Sequence, residues 1–295
     1  MVDNEPDYHL YAYDPTLLGA SIFCALFALT SAFHVYQLVQ NRTWFMIGFL
    51  LGGLFEIVGY AARSTSATQK QNEWSMGPYV VQSMCLLVAP SFAAASMYSI
   101  LGRIIALTNA EAYSIIKKRW ITVFFVFSDV FAFLMTAVGG GLMASESATS
   151  YGSQIGRHTI VGGLIIQLAT YCFFVAVAAT FYQRMDALPP VKKQRHSQIH
   201  WQHHLRTIFL ASSFFILRSI FRIIEYAQGY GGYVFDHEAF LYVFDATPMA
   251  LAMLYMNWQY PHLSKTRAPG APRATWYRMV ARERSPTAPP TNPPS

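Results

Sequence analysis

Apolar residues run along this chain in seven blocks, at residues 17–39, 44–63, 79–101, 120–143, 158–182, 205–227 and 238–258. Each is about 20 residues or longer, the length an α-helix needs to cross a hydrocarbon core. Most charged residues fall in the breaks between blocks. The pattern predicts an all-α polytopic membrane protein with seven transmembrane helices in a domain over 17–261. An acidic N-terminal tail over 1–16 precedes it, and a basic, Pro-rich tail over 262–295 follows, ending in SPTAPPTNPPS. That last composition cannot bury a core and predicts disorder.

Composition strengthens this reading. Hydrophobic residues make up 54% and charged residues only 12% of the 295, against about 25% charged in a soluble domain. The 21 Lys and Arg sort by side: 16 lie in alternate loops and the C-terminal tail, 3 (Arg63, Lys70 and Arg157) on the other side, and Arg218 and Arg222 within the sixth block. Basic loops stay in the cytoplasm, so the N-terminus is expected outside and the C-terminus inside. The net charge of +6 therefore reflects membrane orientation, and no nucleic acid partner is expected. The first sixteen residues carry four acids and no basic residue, which predicts no cleavable signal peptide. Cys24, Cys85 and Cys172 all lie in apolar blocks, which argues against a disulfide framework.

The charges inside the blocks carry the functional information. A charge at the bilayer centre costs about 2.5–3.5 kcal/mol or more, so such groups face the bundle interior and pair. In LRSIFRIIEYAQG, Arg218, Arg222 and Glu225 recur at i, i+4 and i+7, on one helical face. Gly48, Gly52, Glu56, Gly59 and Arg63 share a face of the second block, where the glycines let another helix come close. The last block places Glu238, Tyr242 and Asp245 at i, i+4 and i+7. Counting about 1.5 Å per residue brings Glu56, Arg218 and Asp245 to similar depth in the outer half, with Asp129 of the fourth block somewhat deeper. The expected pairing is Arg218 with Asp245 or Glu56. Pro90 and Pro248 interrupt the third and seventh blocks, and Gly139, Gly140 and Gly141 are expected to loosen the end of the fourth.

The stretches EIVGYAAR, APSFAAASMYSILGRII, SDVFAFLMTAVGGGL, GGLIIQL and RSIFRIIEYAQGYGGYVFDHEAFLYVFDATPM occur in an order that resembles the fungal lipid-translocating exporter family, the RTA-like proteins named for resistance to aminocholesterol. The resemblance runs from Tyr11 to about Pro261. It implies seven spans and a role in sphingoid-base release, resistance to toxic amphiphiles or porphyrin uptake. The family's motif residues fall by position on Glu56, Gly59, Tyr60, Arg63, Pro90, Tyr98, Arg103, Asp129, Gln167, Arg218, Arg222, Glu225, Gly229, Glu238, Tyr242 and Asp245. Thr136 stands where the family often has glutamine, which puts the substrate preference in question.

Competing classes fit less well. A seven-span receptor matches the expected topology, but no acidic residue precedes Arg103 at the end of the third block, and the last block ends YMNWQYP. No lysine in the last block could hold retinal. HSQIHWQHH offers His196 and His200 at i, i+4, and HWQHH looks like one desaturase histidine box, but no second box appears, so no metal is expected. No nucleophile elbow or phosphate-binding loop is present, which argues against a hydrolase and against ATP-driven transport. The chain is therefore expected to be no enzyme and to need no cofactor. Its expected partners are membrane lipids or amphipathic small molecules, which it transports. The alternative is a receptor-like sensor or regulator of lipid asymmetry. The candidate head-group residues are Glu56, Arg63, Asp129, Gln167, Arg218, Arg222, Glu225, Glu238, Tyr242 and Asp245. They are acidic by five to three, which suits a cationic amine. The resemblance implies the plasma membrane, with a vacuolar or other internal membrane as the alternative.

Overall fold

A computed structural model describes residues 13–69, 74–108, 110–116, 118–144, 150–188, 201–229, 232–234 and 236–260. The tail over 262–295, most of the acidic N-terminal segment, and His196 and His200 lie outside the described residues. The helices are α1 Leu17–Asn41, α2 Ile47–Ala67, α3 Met76–Leu107, α4 Lys118–Ala144, α5 Ser150–Asp186, α6 Trp201–Gln228 and α7 Glu238–Trp258. Among the described residues there is no strand, and these seven helices are long and apolar enough to cross a membrane. The chain is an integral membrane protein.

Consecutive helices pack as neighbours, α7 returns to α1, and α3 reaches across to α6. The central position of α3 follows from its sequence: AAAS at 93–96 offers small side chains on every face, and Ala89, Ala93, Ala94 and Met97 are all buried. Apolar side chains such as Leu18, Leu29, Phe127 and Val138 stand outward, as a hydrocarbon surround requires. The turn between α1 and α2 is tight because Arg42 ends α1 in the left-handed conformation, φ 52°. Thr43 at this turn hydrogen-bonds Tyr260 beyond the end of α7.

The α2–α3 seam explains the glycine spacing in α2. A Cβ at Gly52 would sit 2.8 Å from the Ala89 carbonyl oxygen, and one at Gly59 2.7 Å from Leu86. Ser96 Oγ accepts from the Phe49 N–H at 2.7 Å, satisfying one of the donors exposed at the start of α2. Gly139 does not loosen α4. The helix continues to Ala144, and a Cβ at Gly139 would lie 2.5 Å from the Gly156 carbonyl oxygen of α5. The glycine is a contact point between two helices, because a missing side chain lets backbones meet.

α7 is not one regular helix. It begins as a single α-turn, Glu238–Leu241, widens to a π-turn, Tyr242–Ala246, and resumes as α-helix over Thr247–Trp258. Pro248 sits at the second position of the resumed segment. It lacks an N–H for the preceding turn. Within the π-turn the Tyr242 carbonyl accepts from the Thr247 N–H and also from Thr247 Oγ1 at 2.8 Å. Such widened turns occur often at functional sites.

Candidate functional site

Two polar layers lie one above the other toward the face of the bundle that carries Tyr13. The upper layer is centred on Arg63 at the far end of α2. Its Nη2 donates to Glu238 Oε1 at 2.6 Å and to the Tyr13 hydroxyl at 2.9 Å. Its Nε donates to the Tyr242 hydroxyl at 3.2 Å. The guanidinium carbon also lies 5.5 Å from the ring centroids of both tyrosines, within range of a cation–π attraction. Tyr242 donates to Glu238 at 3.0 Å, and the Thr16 N–H reaches both Glu238 oxygens at 3.0 Å. The segment leading into α1 is thus tied down over the ends of α2 and α7. Burial pushes the Tyr13 phenol up from its ordinary value, and Arg63 opposes that shift.

The lower layer is centred on Asp245. Arg218 Nε donates to Oδ1 at 2.7 Å and Nη2 to Oδ2 at 3.3 Å. Arg222 Nε and Nη2 donate to the same two oxygens, both at 2.7 Å. Arg222 Nη1 goes to Glu225 at 2.9 Å. Spacing of four places both guanidiniums on one face of α6, and the π-turn of α7 carries Asp245 between them. Arg218 Nη2 also donates to the Leu86 carbonyl at 2.6 Å. That carbonyl lies four residues before Pro90 and has no helical N–H to accept from. The proline in α3 thus creates an acceptor, and the arginine in α6 fills it.

Glu56 is the least satisfied member of this layer. It is fully buried, its nearest cation is Arg218 at 3.5 Å, and neither carboxylate oxygen has a hydrogen bond. One turn along α2, the buried Tyr60 hydroxyl also lacks a partner. A cavity of about 10 Å³ borders Arg218, Arg222, Gln167 and Ser219, room for about one water. Gln167 lines it without pairing with the charges. Its amide donates to Ser91 at 2.8 Å and to the Tyr171 hydroxyl at 3.1 Å.

Asp129 does not join either layer. It faces α3 and α5, and Oδ2 accepts from the Tyr98 hydroxyl at 2.8 Å. Counting depth put it somewhat deeper than the others, and depth does not say which helix lies alongside. The layers therefore hold Glu56, Glu225, Glu238 and Asp245 against Arg63, Arg218 and Arg222. Sequence reasoning missed Tyr13 and Thr16 in the upper layer and the Leu86 carbonyl in the lower. Only the last had a signal, the proline four residues on. His203 pairs with Gln259 at 2.6 Å, and no metal-binding group of three or more ligands occurs among the described residues.

The family described as RTA1 like protein matches residues 49–267. Over 221 residues the chain is 37% identical to "Protein RTM1" of Saccharomyces cerevisiae, covering 74% of this chain and 69% of that one. It is 36% identical over 208 residues to that yeast's "Protoporphyrin uptake protein 1", covering 70% of this chain and 66% of the relative. It is 23% identical over 277 residues to "Sphingoid long-chain base transporter RSB1", also of that yeast, covering 84% and 72%. The chain spans about two thirds of the length of the first two. No solved structure matches it.

Proposed function

The chain belongs to the RTA1-like family, and from that premise we propose that it moves amphipathic lipids, such as sphingoid bases, or lipid-like toxic compounds across a membrane. Relatives named for sphingoid-base transport and protoporphyrin uptake support the class. The observation that carries the reading is Glu56: a fully buried carboxylate with no hydrogen bond, beside an arginine already held by Asp245. Its charge is the one a visiting ammonium group can take over at least cost, because Arg218 keeps a partner when Glu56 leaves. The acyl tail would stay against lipid between helices while the head group occupies the lower layer. The present cavity admits only a water, so entry requires the helices to part. Pro90 and the π-turn of α7 are the places where the backbone ladder is already broken. The role is non-enzymatic, with the N-terminus outside and the plasma membrane as the proposed site.

Reconstitution in liposomes tests this. A labelled sphingoid base should cross faster than in empty vesicles, and Glu56→Gln should abolish most of the difference while leaving the fold intact. Equal rates with and without protein would reject direct transport. The tight closure of the lower layer favours a second reading, in which the bundle senses or regulates lipid asymmetry through other proteins. That reading predicts ligand binding in detergent without flux in vesicles.

A further inference from the structure

We propose that Asp129 is a proton-binding site, separate from the arginine layers. Asp129 is 2% exposed, in the middle of α4. It has one hydrogen bond, from Tyr98 to Oδ2, and Oδ1 is buried without a partner. Among the described residues no arginine, lysine or histidine pairs with it. The titratable groups that face it are hydroxyls, Tyr98 from α3 and Tyr171 from α5. Arg218 of α6 is engaged by Asp245 and Leu86. Phenyl rings close the surroundings: Phe125 and Phe174 pack on Tyr98 at 5.0 and 4.8 Å between centroids.

A carboxylate buried without a counter-charge is neutralised rather than tolerated. Oδ1 is buried and the rings around Tyr98 pack closely, so the neutralising species has to be small. A proton on Oδ1 satisfies charge balance and needs no space. In this step one proton leaves solvent, an O–H bond forms at Oδ1, and the Tyr98 hydrogen bond to Oδ2 is kept. When the α3–α4–α5 contact opens and water reaches Oδ1, the proton is returned. Asp245 is no candidate for this role, since both its oxygens are filled by two guanidiniums.

The assignment is independent of the transport reading, because it is measured on purified protein without substrate. Infrared difference spectra collected across a pH titration should show a protonated-carboxyl C=O band from a dehydrated site. Asp129→Asn should remove one such band, and Glu56→Gln, which keeps the fold, should leave that band in place. Tyr98→Phe should keep the band and shift it to higher frequency, because the donor to Oδ2 is gone. Tyr98→Phe retains the carboxyl and so decides the matter even if Asp129→Asn fails to fold. If the bands are the same in wild type and Asp129→Asn, or if Tyr98→Phe leaves every band in place, the assignment is wrong.

Discussion

Asp245 and Asp129 are nearly equally buried, at 0% and 2% exposure, yet their surroundings are opposites. Asp245 receives four hydrogen-bonding contacts from two arginines. Asp129 receives one, from a neutral tyrosine. The first is a clamp: removing it leaves two guanidiniums underpaired in low dielectric. The second holds a charge that its neighbours do not balance, and so can change state without taking the packing apart. Burial of a carboxylate therefore says little about its role until the charge of its neighbours is known.

The largest effect should come from breaking the clamp. Asp245→Asn leaves Arg218 and Arg222 underpaired, and loss of one partner of a buried pair costs about 3–5 kcal/mol. Thermal unfolding in detergent should show little folded protein. The reciprocal exchange Arg218→Asp with Asp245→Arg should not rescue it, since the new arginine would face Arg222. Recovery of wild-type stability would show that Arg222 does not depend on Asp245. Arg63→Ala is next. It removes charged hydrogen bonds to Glu238, Tyr13 and Tyr242, worth about 1.5–3 kcal/mol, and should free the segment before α1 for limited proteolysis. Continued protection of that segment would mean that Thr16 and Glu238 suffice to hold it.

Gly52→Ala sharpens the contrast from the packing side. The added methyl meets the Ala89 carbonyl oxygen and overpacks the α2–α3 seam at about 1–3 kcal/mol. Glu56 lies one turn away, so flux in liposomes should fall more than stability does. Asp129→Asn should be the mildest, within about 1 kcal/mol of wild type by chemical denaturation, because the amide oxygen still accepts from Tyr98 and no cation is orphaned. A loss as large as that of Asp245→Asn would erase the distinction between the two aspartates.

Much of the ion pairing was legible in the chain. Arg218 and Asp245 carry opposite charges at similar depth, and a charge in hydrocarbon has to find a partner. The glycine stripe of α2 was equally readable as a close helix contact, although not which helix it meets. The double use of Asp245 was not legible. It depends on the π-turn over Tyr242–Ala246, which re-aims the side chain relative to a regular helix. Nor was the isolation of Asp129, because seven blocks of similar length do not specify their neighbours. Gln167 illustrates the same gap: it shares a cavity with the arginines but spends its amide on Ser91 and Tyr171.

By itself the sequence determined that seven helices span a membrane and that their internal charges pair, since both follow from the cost of polar groups in hydrocarbon, which acts on every residue separately. Only the tertiary structure decided which carboxylate meets which guanidinium, that a carbonyl freed by Pro90 is taken by Arg218, and that Asp129 is left with a hydroxyl alone. Those outcomes depend on which helix lies beside which and on rotations of a fraction of a turn, and short-range hydrogen bonds are decided at that scale.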